Sequence, residues 1–150
     1  MFFEASRTLP YSADAVFAEL IDWAGHAEWV PLTRVEISDG DGGEGTEFIA
    51  TSGVGPAALP DRMRVVSLDH HTRTAVIEKL GPMLTGTVTL RVVPVTEWNS
   101  RVEWIEDIEV RGLPRLLSRP TARAARLAFE RSLAAMARHM RKRGVTDLPA

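Results

Sequence analysis

Apolar and polar positions alternate from Phe2 to Leu9. Phe3, Ala5, Arg7 and Leu9 share one face, and Glu4, Ser6 and Thr8 share the other with Phe2. This period of two predicts a half-buried strand, which Pro10 ends. Ser12 then stands as a helix N-cap with Asp14 in the first turn. Val16, Phe17, Leu20 and Ile21 follow at helical spacing, so a short amphipathic helix is predicted over 13–21. A second short helix is expected over 24–29, closed by Pro31. The pattern then returns to strands over 34–38, 46–51, 62–68, 72–80, 85–95 and 101–110. Gly- and Asp-rich turns separate them, notably 39–45, 69–71 and 81–82, with a longer loop over 52–60. Mostly short connections between consecutive strands predict an antiparallel meander.

The period changes to that of a helix over 121–143. Phe129, Leu133, Met136 and Met140 form one continuous stripe there. Gly144 is a candidate C′ residue, and Pro149 lies beyond it. Pro114 and Pro120 are expected before this helix, in its first turn or at a kink. The order of elements therefore predicts an α+β fold. A curved seven-stranded antiparallel sheet surrounds a long C-terminal helix, with two short helices between strands 1 and 2. About 23 residues at ~1.5 Å each give that helix a length of roughly 35 Å, enough to cover the sheet. A straight rod cannot pack evenly along a bent sheet, so a cavity is expected between helix, sheet and small helices.

Composition narrows the function classes. A chain of 150 residues suits one domain over 1–150, and 45% hydrophobic with 25% charged residues is a globular balance. The absence of Cys excludes thiol nucleophiles, disulfides, Cys-ligated zinc and iron–sulfur clusters. No apolar run reaches the ~18 residues of a membrane span, so stable membrane insertion is not expected. The opening MFFEASRTLP has no basic region followed by an apolar one, and a cytoplasmic location is expected. Charge is segregated: residues 1–110 hold 8 basic and 18 acidic side chains, and residues 111–150 hold 10 and 2. An Arg-rich helix docked on an acidic sheet explains this, with an anionic partner as the alternative. A net charge of −2 argues against nucleic acid.

The order of elements, with Glu4-Ala-Ser-Arg-Thr-Leu-Pro10, Ala15-Val-Phe17, Leu20-Ile-Asp22, Trp29-Val-Pro31, Gly45-Thr46 and Arg101-Val-Glu-Trp104, resembles the SRPBCC (START-like) superfamily and its helix-grip fold. Within it, the chain is most similar to the bacterial branch of polyketide cyclase/dehydrase and lipid-transport proteins. The resemblance spans about Phe2 to Arg143. It implies a hydrophobic cavity for a lipid-like or polyaromatic ligand. It does not imply one chemistry, because the fold hosts binders, transporters and cyclases.

The last strand carries the sharpest candidate. Val102, Trp104, Glu106, Ile108 and Val110 share its apolar face, so Glu106 points inward, where a lone carboxylate must shift its pKa or take a partner. Arg7 is the matching oddity in the first strand. The helix-grip resemblance implies that first and last strands are neighbours, which makes Glu106 and Arg7 a candidate pair, either a structural ion pair or the polar equipment of a catalytic cavity. Trp29 and Trp104 fit core packing or a ligand wall. Phe129, Leu133 and Met136 are core residues that also suit a cavity wall. Phe48, Met63 and Val88 face the same space in one of two registers. Glu78 is a further inward candidate. Tyr11 sits in a turn, and His26, His70, His71 and His139 are dispersed, so neither a metal nor a cofactor is expected. Residues 39–50 resemble a calcium loop, but Glu44 and Ala50 stand where Gly and Glu are needed. The expected function is binding or transport of a hydrophobic small molecule by a monomer or homodimer. The alternative is a polyketide aromatase/cyclase or dehydratase using Glu106 and Arg7.

Overall fold

The computed structural model describes residues 1–145, so Pro149 lies outside the described residues. Its elements are β1 (Phe2–Leu9), α1 (Ala13–Leu20), a 3₁₀ helix (Ala24–Glu28), β2 (Thr33–Asp39), β3 (Glu47–Ser52), a 3₁₀ turn (Gly55–Ala57), β4 (Leu59–Asp69), β5 (Thr74–Leu80), β6 (Leu84–Pro94), β7 (Ser100–Val110) and α2 (Arg115–Lys142). The strands form one antiparallel sheet in the order β1-β7-β6-β5-β4-β3-β2. Strands β2 to β7 are a meander. β1 closes against β7 because the two short helices carry the chain from one edge of the sheet to the other.

Local chemistry explains the helix ends. The Ser12 hydroxyl accepts a hydrogen bond from the Ala15 N–H at 3.3 Å and starts α1, with Asp14 in the first turn. At the far end of α2, Gly144 takes φ +67°. Its N–H donates to the Arg141 carbonyl while the Val145 N–H donates to the Met140 carbonyl, both at 3.1 Å. That pair of bonds is a Schellman cap. Buried Glu19 of α1 reaches Arg143 at 3.0 Å and His139 at 3.6 Å, tying the first helix to the end of the last.

The sequence pattern predicts the long helix from 121, but α2 starts at Arg115 with Pro114 as its N-cap and Pro120 inside it. The missing N–H of Pro120 leaves only the Leu116 carbonyl without its helical partner. This end of the helix lies in water, so the cost is small. The buried residues of α2 are Ser132, Leu133, Met136 and Met140, all in its C-terminal half. The helix is therefore buried most deeply toward its C-terminal end; in its first half Ala122 and Ala125 pack against the core half-buried, and residues 115–121 do not join it.

Gly86 in β6 shapes the sheet. It lies between Lys79 of β5 and Ile108 of β7 and has φ +121°. A Cβ there would sit 2.2 Å from the Asp107 carbonyl oxygen. The close approach and the unusual φ both require glycine. Gly86→Ala is expected to destabilise the fold by about 3 kcal/mol or more, combining φ strain with a backbone clash. Urea unfolding measures this, and an unchanged midpoint would contradict the account.

Candidate functional site

The concave face of the sheet lines a cavity of about 100 Å³ that is partly open to solvent. Its wall is apolar where Val30, Val35, Phe48, Met63, Ile77, Val88 and Phe129 meet it. Four ionisable side chains also border it: His26, Asp61, Lys79 and Glu106. Ser52 and Thr33, at the ends of β3 and β2, are exposed or half-exposed, whereas Val88, Trp104 and Glu106 are buried. The cavity therefore opens toward the β2–β3 side and deepens toward β7.

Strand alternation places each polar group. In β7, Val102, Trp104, Glu106 and Ile108 are buried. The Glu106 Oε1 accepts a hydrogen bond from the Trp104 indole N–H at 2.9 Å. Burial raises the Glu106 pKa, and the Lys79 charge and the Trp104 bond offset part of that rise. In β5 the inward residues are Ala75, Ile77 and Lys79. The Lys79 ammonium pairs with Asp61 of β4 and lies 3.9 Å from the Met63 sulfur. Burial raises the Asp61 pKa as well, with Lys79 again opposing it. Asp61 Oδ1 is buried without a hydrogen-bond partner.

His26 projects from the 3₁₀ helix. The Asp22 carboxylate accepts from the Gly25 N–H at 3.3 Å and shapes this turn. The His26 Nε2 lies 2.6 Å from the Leu20 carbonyl, an acceptor, so Nε2 carries the proton and Nδ1 keeps a lone pair. Burial lowers the His26 pKa to about 4, so the ring is neutral at pH 7. Aromatic side chains enclose it. Its centroid lies 4.7 Å from Trp29, 5.7 Å from Trp23 and 6.0 Å from Trp104. Trp104 meets Phe129 at 4.7 Å, Phe129 stacks on Phe3 at 5.5 Å, and Trp23 stacks on Phe48 at 5.2 Å.

Of the residues singled out from sequence, Phe48, Met63, Val88, Trp104, Glu106 and Phe129 border the cavity. Trp29, Leu133 and Met136 are buried in the core behind it. Within α2 the contribution to the wall is Phe129, so the sheet and the 3₁₀ helix, more than the long helix, form the pocket.

The expected pairing of Arg7 with Glu106 does not form. Phe3 stands opposite Glu106, whereas Arg7 stands opposite Val102. Four residue steps along a strand amount to about 13 Å. Arg7 is exposed in a surface groove with Tyr11, Arg138 and Arg141. At that end of the sheet its guanidinium reaches water, which is cheaper than burial. Glu78 is also exposed, because β5 turns Lys79 inward instead.

Sequence reasoning does not find Asp61, Lys79 and His26 as members of the site. Arg62 and Arg64 mark the outward face of β4, so Asp61 has to share the inward face with Met63. Starting the strand at Arg62 hides this. His26 lies in a 3₁₀ turn, where no periodicity reports facing.

A family model described as polyketide cyclase/dehydrase and lipid transport matches residues 2–141. No curated protein matches. Among solved structures, the chain is similar to TTHA0849 from Thermus thermophilus, with TM-score 0.82 and 14% identity, over 97% of this chain and 100% of that one. It is similar to the Zhui aromatase/cyclase from Streptomyces sp. R1128, with TM-score 0.73 and 20% identity over 97% and 96%. It is also similar to norcoclaurine synthase from Thalictrum flavum in complex with dopamine and hydroxybenzaldehyde, with TM-score 0.73 and 16% identity over 97% and 89%. At these identities the likeness is one of fold.

The His26 site has a pH signature. Unfolded, this ring takes up a proton near pH 6.5; folded, near 4. Between those values the unfolded state binds more protons, so stability falls as pH falls. The shift corresponds to about 3 kcal/mol lost from pH 7 to below 4. The difference in unfolding free energy between wild type and His26→Gln is expected to change by that amount across the window, read by urea titrations at several pH values. A pH-independent difference would contradict a neutral buried ring.

Proposed function

The chain belongs to the polyketide cyclase/dehydrase and lipid transport family, and from that premise we propose that its cavity receives a hydrophobic small molecule bearing one uncharged polar end. The observation that carries this reading is the mixed lining: an apolar and aromatic wall is interrupted by the Glu106, Asp61 and Lys79 side chains, with His26 set among the aromatic rings. Burial of the ligand body supplies affinity at roughly 25 cal/mol per Å² of apolar surface. The polar groups fix orientation. The Glu106 carboxyl, whose pKa burial raises, and the Asp61 and His26 side chains offer hydrogen-bonding groups to that polar end. A carbonyl or hydroxyl satisfies these groups. A ligand carboxylate would stand beside two protein carboxyls and is disfavoured. At about 100 Å³ the cavity is smaller than the roughly 300–1,000 Å³ of typical ligand pockets, so a ligand larger than a single ring requires side chains such as Phe129 to turn away from Trp104.

A second reading is supported by one observation: a carboxyl with a raised pKa and a neutral imidazole share this cavity. Such a pair suits an aldol cyclisation or dehydration. The imidazole takes the α-proton of a carbonyl compound, and the carboxyl gives a proton to the oxygen of the carbonyl being attacked. Arg7 has no part in this set.

Displacement of a fluorescent apolar probe by a panel of aromatic ketones and alcohols tests the first reading. Val88→Trp fills the cavity and is expected to weaken binding at least tenfold. Equal binding by wild type and that variant, or no displacement by any compound, would contradict it. Glu106→Gln separates the two readings. Retained binding with loss of turnover of a poly-β-ketone supports catalysis, and retained binding with no turnover by wild type supports the binder.

A further inference from the structure

We propose that the end of the molecule around the cavity mouth docks on an anionic lipid bilayer, with the start of α2 as its principal contact. The antiparallel register places the starts of β2, β4 and β6 and the ends of β3, β5 and β7 at one end of the sheet. Thr33, Ser52, Asp61 and Lys79 border the cavity at that end. The loops there carry large apolar side chains into water. Leu32, just before β2, is 70% exposed, and Val54, between β3 and β4, is 69% exposed. Met83, between β5 and β6, and Leu117 are also exposed, and Leu116 is 91% exposed. The Arg111 N–H bonds the Met83 carbonyl at 2.9 Å, which joins the β5–β6 turn to the segment leading into α2.

Charge identifies the partner. Residues 111–129 contain five arginines and no acidic residue. Arg111, Arg115, Arg119 and Arg123 are exposed, and among the described residues none has an ion-pair partner. In α2 the hydrophobic residues that pack against the core begin at Ala122, so the protein core does not use residues 115–121. Exposed leucines flanked by unpaired arginines suit the boundary between acyl chains and anionic headgroups. A symmetric contact with a second copy would set these arginines against one another. Nucleic acid would leave the leucines without an apolar partner. No described helix is long and apolar enough to cross a membrane, so the contact is peripheral. Docked this way, the mouth faces lipid, and an apolar ligand enters without crossing water. The inference goes beyond the cavity reading and is tested apart from it.

The test is flotation of the full chain with vesicles of phosphatidylcholine alone or mixed with phosphatidylglycerol. Wild type is expected to bind the mixed vesicles, to ignore phosphatidylcholine, and to be released by high salt. Leu116→Ser with Leu117→Ser, and separately Arg115→Glu with Arg119→Glu, are expected to weaken binding at least tenfold while fluorescent-probe binding in the cavity stays unchanged. Trp98→Ser, in the β6–β7 turn at the opposite end, leaves vesicle binding intact. The proposal is overturned if wild type ignores both vesicle types, or if Trp98→Ser weakens binding as much as the leucine changes. It is also overturned if light scattering shows a dimer that the leucine changes dissolve, with no vesicle binding. Val88→Trp should still bind vesicles, so failure of the cavity reading and failure of this one are told apart.

Discussion

Placing Glu106, Asp61 and Lys79 on the concave face of a sheet obliges each charge to find a partner, because an isolated ion in an apolar interior costs several kcal/mol. One ammonium neutralises one carboxylate. Lys79 meets Asp61 directly, and Glu106 is left with an indole N–H and a more distant attraction. Ionising both carboxyls would bury a net negative charge. Both pKa values accordingly move up, and burial outweighs Lys79 in each case. The cavity is thus an apolar chamber with one polar patch in which burial disfavours excess negative charge, and this decides which ligands it favours.

The remainder of the fold holds that patch in place. Gly86 lets β6 and β7 approach closely beside Lys79. The interlocked rings of Phe3, Phe129, Trp104, His26 and Trp29 connect β1, α2, β7 and the 3₁₀ helix across the cavity. The charged groups sit on strands, which position a side chain more rigidly than loops do. The Glu19 contacts and the Schellman cap fix the far end of α2, and residues 115–121 at its start do not join the core. A helix anchored at one end combines a rigid site with a free surface.

Much of this is legible from residue order. The strand limits of β1, the Ser12 cap, the meander and the Gly144 cap follow from local rules that operate within a few residues. Glu106 is legible because its neighbours at 102, 104, 108 and 110 are all apolar. Arg7 shows where such reading stops. Its facing is inferred from alternation, but its distance from Glu106 depends on the β1–β7 register, which no local pattern encodes. Lys79 is hidden because β5 carries apolar side chains on both faces, with Ala75 and Ile77 on one and Val76 and Leu80 on the other. The start of α2 is misplaced because Pro120 reads as a helix boundary, although near a solvated helix end it removes only one hydrogen bond.

The most direct measurement is a crystal structure of the protein with an aromatic ketone or alcohol bound. The account predicts the ligand body against Phe48, Met63 and Val88, and its oxygen within hydrogen-bond distance of Glu106 or Asp61. A ligand seated elsewhere, or one whose oxygen points into the apolar wall and away from these carboxyls, would contradict it.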